Sequence, residues 1–173
     1  MSRQLWLLRH AEAEPHGTRP DSERRLTARG ERQAQAAGAA IARLQRRLDA
    51  VLFSPKARAR ETAEIAAEQW GERQRALLRC YPPLAEGFDA AQARDAALEA
   101  TPDDGRVLLV GHEPDFSRTV AELTGGAVAL KKGGLAVVRL DGLGGELSLL
   151  LRPRDVALIA GVALAGVGDP TGG

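Results

Sequence analysis

Leu5-Trp6-Leu7-Leu8-Arg9-His10-Ala11-Glu12 decides how the rest of the chain is read. Four apolar residues in succession stop abruptly at an arginine and a histidine. An apolar run this short, without polar alternation, reads as a strand buried on both faces. Such strands belong to parallel sheets covered by helices. Open α/β sheets bind ligands just beyond the carboxyl ends of their strands, and Arg9 and His10 fall at that position.

The pattern recurs twice. Val51-Leu52-Phe53 runs into Ser54-Pro55-Lys56-Ala57-Arg58, and Val107-Leu108-Leu109-Val110 runs into Gly111-His112-Glu113-Pro114. Each is an apolar run followed by a turn signal, a polar group and a helix-like segment. If the three strands lie side by side, Arg9, His10, Arg58 and His112 share one edge of the sheet. Two arginines and two histidines there would form an anion site with a nucleophile.

Leu8-Arg9-His10-Ala11-Glu12-Ala13, the Ser-Pro-x-x-Arg-Ala-x-x-Thr-Ala run from Ser54 to Ala63, and Val110-Gly111-His112 together resemble the histidine phosphatase superfamily. The commonest family form has glycine where this chain has Ala11. The small size and the stretch Lys131-Lys132-Gly133-Gly134-Leu135-Ala136-Val137 are most similar to the SixA-type phosphohistidine phosphatases. The resemblance extends from about residue 4 to about residue 152.

It implies an α/β fold of the phosphoglycerate mutase-like kind, a three-layer α/β/α sandwich with a mostly parallel sheet. It implies His10 as a nucleophile that becomes phosphorylated, Arg9 and Arg58 as guanidinium forks on the phosphate, and His112 as a donor to the phosphoryl oxygens. No metal and no cofactor are expected. The substrate implied first is phosphohistidine on a protein. A small phosphomonoester, turned over by a phosphatase or mutase on the same fold, remains open, as does a phosphate-binding module without turnover.

The proton for the leaving group is less defined. Larger relatives carry a glutamate between the second and third motifs, and Glu86, followed by Gly87, lies in that region; Glu12 and Asp89 are weaker alternatives. A protonated imidazole leaves readily, so a phosphohistidine substrate makes less demand on an enzyme acid. The intervening segment, Gly71 to Arg106, has little material for a lid, which predicts an open site.

At 173 residues the chain has the length of one domain, expected over 1–155, with 156–173 as a docking segment or loose tail. The net charge of +1 gives no overall field toward nucleic acid or anionic membranes. Aromatic residues are only 3%, too few for base-stacking platforms. Cys80 is the sole cysteine, which excludes an internal disulfide and fits a reducing cytoplasm, the expected location. No signal peptide is evident, since Arg9 and His10 interrupt the first apolar run. The apolar stretch Val156 to Val167 is shorter than the ~20 residues a membrane span needs. His16 is a third histidine, but no ligand spacing joins it to His10 and His112. The oligomeric state is left open.

The remaining pattern supplies the layers. Glu14 to Arg25, with Pro15, Gly17 and Pro20, reads as a loop on the rim of the site. Thr27 caps a helix to about Arg47, with Ala34, Ala37, Ile41, Leu44 and Leu48 as its buried stripe. Ser54-Pro55 opens a helix to about Trp70, which puts Arg58 near a helix N-terminus favourable to anions and turns Arg60 elsewhere. Ala90–Glu99 and Asp115–Leu123 are further helices, and 134–140 with 146–151 form a hairpin at the sheet edge.

Overall fold

A computed structural model describes residues 2–44 and 47–163. At its centre is β1 (Gln4–Arg9), whose side chains alternate between two cores. Leu5 and Leu7 enter one, and Trp6 and Leu8 the other. The sheet has six strands in the order β3 (Leu78–Cys80), β2 (Ala50–Phe53), β4 (Arg106–Gly111), β1, β5 (Leu135–Asp141) and β6 (Gly144–Leu151). The first four are parallel, and the β5–β6 hairpin is antiparallel at one edge. β4 lies between β2 and β1, so the carboxyl ends of three chain-distant strands stand together.

Helices cover both faces, giving the expected three layers. On the Trp6 side lie α1 (Ala28–Arg43), α2 (Ala57–Ala67) and α6 (Pro153–Ala160); on the Leu5 side lie α4 (Ala90–Ala100) and α5 (Asp115–Thr124). α3 (Glu72–Arg75) is a single turn leading to β3. Leu5, Leu7, Leu8, Leu108 and Leu109 are fully buried, and each such side chain contributes about 1.5–3 kcal/mol of transfer free energy.

Several boundaries differ from the sequence expectation. α1 ends at Arg43 rather than near Arg47. Leu48 is buried as expected but lies beyond the helix, its backbone held by the Gln74 side chain through both N–H and C=O. α2 starts at Ala57, after Pro55, because the Ser54 hydroxyl accepts the Lys56 N–H at 3.3 Å and prolongs the turn leaving β2. It ends at Ala67, and residues 68–70 continue in the tighter i to i−3 hydrogen bonding. β3 was not expected: three residues, mostly exposed, on the sheet edge leave no apolar pattern to read. Between Gly71 and Arg106 the chain is consumed by α3, β3, a 3-10 turn at Pro82–Ala85 and α4, so most of it builds the fold.

α6 packs on α1, burying Val156, Ala157 and Ala160, with the Arg43 guanidinium donating to the Ile159 carbonyl at 3.1 Å. The boundary expected after residue 155 falls within this helix, and residues 164–173 of the expected docking segment lie outside the described residues. Among the described residues no helix is long and apolar enough to cross a membrane.

The start of α1 bears directly on the end of β1. Thr27 is the cap, accepting the Gly30 N–H at 3.1 Å, and its own N–H donates to the Glu12 carbonyl at 3.0 Å. A Cβ on Gly30 would stand 1.9 Å from that same carbonyl oxygen. Helix propensity alone favours alanine over glycine by about 1 kcal/mol. The collision is with backbone and no rotamer relieves it, so overpacking, about 1–3 kcal/mol or more, outweighs propensity. Gly30→Ala is therefore expected to lower the urea midpoint; a raised midpoint would show that the helix moves away freely.

Candidate active site

Hydrogen bonding of the sheet type carries each motif just past its strand. The His10 N–H donates to the Gly111 carbonyl at 3.0 Å, and the Ser54 N–H to the Val110 carbonyl at 3.0 Å. On the other side the Arg9 N–H donates to the Gly134 carbonyl at 3.1 Å, and the Gly133 N–H lies 3.2 Å from both the Arg9 and His10 carbonyls. Gly133 has φ +74°, a left-handed conformation that glycine adopts without cost. Ala11 is fully buried and not in a left-handed conformation, so alanine fits there.

His10 is 6% exposed, and its Nδ1 lies 2.7 Å from the Ala11 carbonyl oxygen. A carbonyl oxygen only accepts, so this contact puts the ring proton on Nδ1 and leaves Nε2 unprotonated, an acceptor. The Arg58 Nε–H donates to Nε2 at 3.3 Å. Burial pushes the His10 pKa down to about 2; the Ala11 hydrogen bond opposes this, while His112, Arg58 and Arg9 add to it. The ring is held neutral, as a nucleophile requires.

His112 follows β4, with its ring centroid 5.2 Å from that of His10. Its Nε2 lies 2.8 Å from the Ser54 Oγ, and its Nδ1 is buried with no hydrogen-bond partner among the described residues. Burial first, then Arg58, lowers its pKa to about 3. Arg9 donates through Nη1 to the Leu130 carbonyl at 2.9 Å, and its Nε is likewise buried without a partner. Buried polar groups left unpaired carry a desolvation cost of about 1–3 kcal/mol each.

Arg58 is the second residue of α2 and nearly buried. Its backbone is tied to the first motif through Thr62, whose hydroxyl donates to the Arg58 carbonyl at 2.6 Å and accepts the Ala11 N–H at 3.1 Å. Its guanidinium meets Asp21, donating from Nη1 to the backbone oxygen at 2.7 Å and from Nη2 to Oδ2 at 3.3 Å. Burial works to raise the Asp21 pKa. Hydrogen bonds from Arg24, Lys56 and Arg58 and the charge of Arg58 outweigh it and hold the carboxyl well below its usual range.

Arg9, His10, Arg58 and His112 are thus brought together. Glu86 is exposed, at the end of the 3-10 turn, with no hydrogen bond or ion pair among the described residues. The Glu12 carboxylate is taken by the Thr27 hydroxyl at 2.9 Å and by Arg29 at 3.5 Å, and Asp89 caps α4. His16 is exposed and lies 3.7 Å from Asp21; among the described residues no cluster of three or more His, Cys, Asp or Glu could hold a metal. Arg60 is turned outward toward Glu64. Asp21 and Ser54 were not foreseen as site residues. Ser54 stands inside a quoted motif, whereas nothing in the polar loop around Asp21 singles it out.

A model of the histidine phosphatase superfamily (branch 1) matches residues 5–86. An uncharacterized protein of Picosynechococcus sp. (strain PCC 7002) is 31% identical over 147 residues, 79% of this chain and 84% of that protein. The protein histidine phosphatase SixA, solved with tungstate, superposes with a TM-score of 0.75 at 23% identity, over 88% of this chain and 99% of SixA. A proposed phosphohistidine phosphatase SixA from Nakamurella multipartitia gives 0.73 at 27% identity, over 88% and 97%. The same fold is also that of an α-ribazole phosphatase from Shigella flexneri.

Both site histidines have folded pKa values below 6.5. Below about 6.5 the unfolded chain takes up protons that the folded site refuses. Stability from this source is complete above about 6.5 and falls as the pH drops toward about 3 for His112 and about 2 for His10. In an NMR titration the ring signals of His10 and His112 should keep their neutral positions from pH 8 to about 4.5, since both pKa values lie lower. A midpoint near 6.5 for either would mean that its ring is hydrated.

Proposed function

This chain belongs to the histidine phosphatase superfamily, and we propose that it is a metal-independent phosphatase that dephosphorylates phosphohistidine on a protein through a phosphohistidine formed on His10. The observation that carries this reading is the buried, neutral His10, its proton held on Nδ1 by Ala11 and its unprotonated Nε2 facing the Arg58 Nε–H.

The substrate phosphoryl group lies with its oxygens against Arg9 and Arg58. Nε2 attacks phosphorus, the bond from phosphorus to the substrate nitrogen breaks, and the departing imidazole keeps a proton. The Nδ1–H bond to Ala11 stabilises the positive charge that develops on the His10 ring. His112 donates from Nδ1 to a phosphoryl oxygen, in the tautomer where the Ser54 hydroxyl donates to Nε2. Water then attacks phosphorus, the bond to Nε2 breaks, and phosphate leaves. The guanidinium groups supply the positive charge that a metal ion supplies elsewhere.

A protein substrate is supported by the chain between Gly71 and Arg106, which goes largely into the fold rather than a lid. The 27% identity to the Nakamurella protein points the same way. The second reading, a small phosphomonoester, is favoured by the α-ribazole phosphatase on the same fold. The two differ in their need for an acid. An alkoxide leaving group requires one, whose loss costs about 10²–10⁴ in rate, and Glu86 is the candidate. Glu86→Gln should therefore leave turnover of a phosphohistidine protein unchanged. A loss of that size on every substrate would favour the phosphomonoester reading.

The covalent step is tested directly. Labelled substrate, quenched rapidly in alkali, should leave label on the peptide containing His10, stable to alkali and lost in acid. His10→Ala should abolish both label and turnover, because no attacking atom remains. Turnover persisting in His10→Ala without label would mean direct attack by water. Phosphate binding with no turnover on any substrate would mean a binding module.

A further inference from the structure

Arg58 can hold an oxyanion in two ways. Its lateral pair is Nε–H with the nearer Nη2–H, and its terminal pair is Nη1–H with the outer Nη2–H. Asp21 takes the terminal pair, with its backbone oxygen 2.7 Å from Nη1 and its Oδ2 3.3 Å from Nη2. The lateral side is the one that meets the nucleophile, with Nε 3.3 Å from His10 Nε2. We propose that Asp21 is a positioning residue for Arg58: by occupying the terminal pair it turns the lateral pair toward the phosphoryl group at His10. The proposal rests on the reading of Arg58 as a phosphate ligand.

Asp21 is itself held firmly. The Arg24 side chain, 7% exposed as a residue, donates to Oδ1 from Nε at 3.0 Å and from Nη2 at 2.8 Å. Its Nη1 donates to the Glu14 carbonyl at 2.6 Å, where the rim loop departs. Lys56 Nζ reaches Oδ2 at 3.3 Å from the turn that precedes α2. The loop closes at its base through the Ala13–Leu26 bridge, and Glu61 of α2 accepts the Leu26 N–H at 2.9 Å. A chain of charge-assisted bonds thus runs from the loop base through Arg24 and Asp21 to Arg58. Asp21 remains ionised and serves as an acceptor, so it is not a proton donor to the leaving group.

Charge alone and positioning predict opposite signs. Removing a carboxylate beside an anion site should tighten anion binding by relieving repulsion. Losing the Oδ2 half of the grip, with the Nη1 bond to the Asp21 backbone oxygen kept, should let Arg58 swing and so weaken binding and slow turnover, a misplacement of about 1 Å costing up to about 10²-fold. Asp21→Ala and Asp21→Asn, the latter nearly isosteric and safer for folding, would be compared in the full chain. The readouts are calorimetric binding of inorganic phosphate and turnover of p-nitrophenyl phosphate, with thermal unfolding as the folding control.

Both variants should bind phosphate more weakly, and kcat should fall by about 10–10²-fold. Neither loss should appear when the same substitutions are made in Arg58→Ala, because the pair acts as a unit. Tighter phosphate binding, or equal losses in both backgrounds, would overturn the proposal. The binding arm decides the role of Asp21 even in a protein that turns over nothing, so the phosphatase reading and this one can fail separately.

Discussion

The hydrogen bond from His10 Nδ1 to the Ala11 carbonyl is the interaction on which the site depends. It joins neighbouring residues, so its geometry is set by how the chain leaves β1. Three contacts fix that exit. The His10 N–H continues the pairing with β4, the Ala11 N–H is taken by Thr62, and the Glu12 carbonyl receives the Thr27 N–H at the start of α1. Each partner comes from a different element. The orientation of one imidazole therefore draws on the packing of β4, α1 and α2 against β1. Oriented hydrogen bonds of this kind determine which ring nitrogen is free to react.

Electrostatics then shape what the site accepts. Two neutral histidines and two guanidiniums are gathered where burial disfavours further positive charge. Asp21 offsets part of that charge from the Arg58 side. Among the described residues the buried Arg9 Nε and His112 Nδ1 have no hydrogen-bond partner.

The strand-end motifs carried most of the site because they are local. An apolar run ending in Arg9-His10, another ending in Ser54-Pro55 and a third ending in Gly111-His112 each specify a buried strand and the polar group just after it. Thr27 likewise marks the start of α1 by the chemistry of a cap. Local signals failed where partners decide. β3 is a strand because β2 offers an edge beside it, and its three residues show no period. The place of Leu48 beyond α1 and the delayed start of α2 go with contacts to Gln74 and Ser54.

By itself the sequence determined three of the four parallel strands, β1, β2 and β4, their two-sided burial, and Arg9, His10, Arg58 and His112 as the polar residues that follow them. Those properties follow from residue type and short-range order. Only the tertiary structure decided which nitrogen of His10 carries the proton, which side of Arg58 faces it, and that Asp21 touches this arginine. Asp21 and Arg58 are far apart in the chain and meet because the rim loop folds back over α2. Directional bonds between distant residues leave no periodic trace along a sequence, so they become visible only once the chain has closed around them.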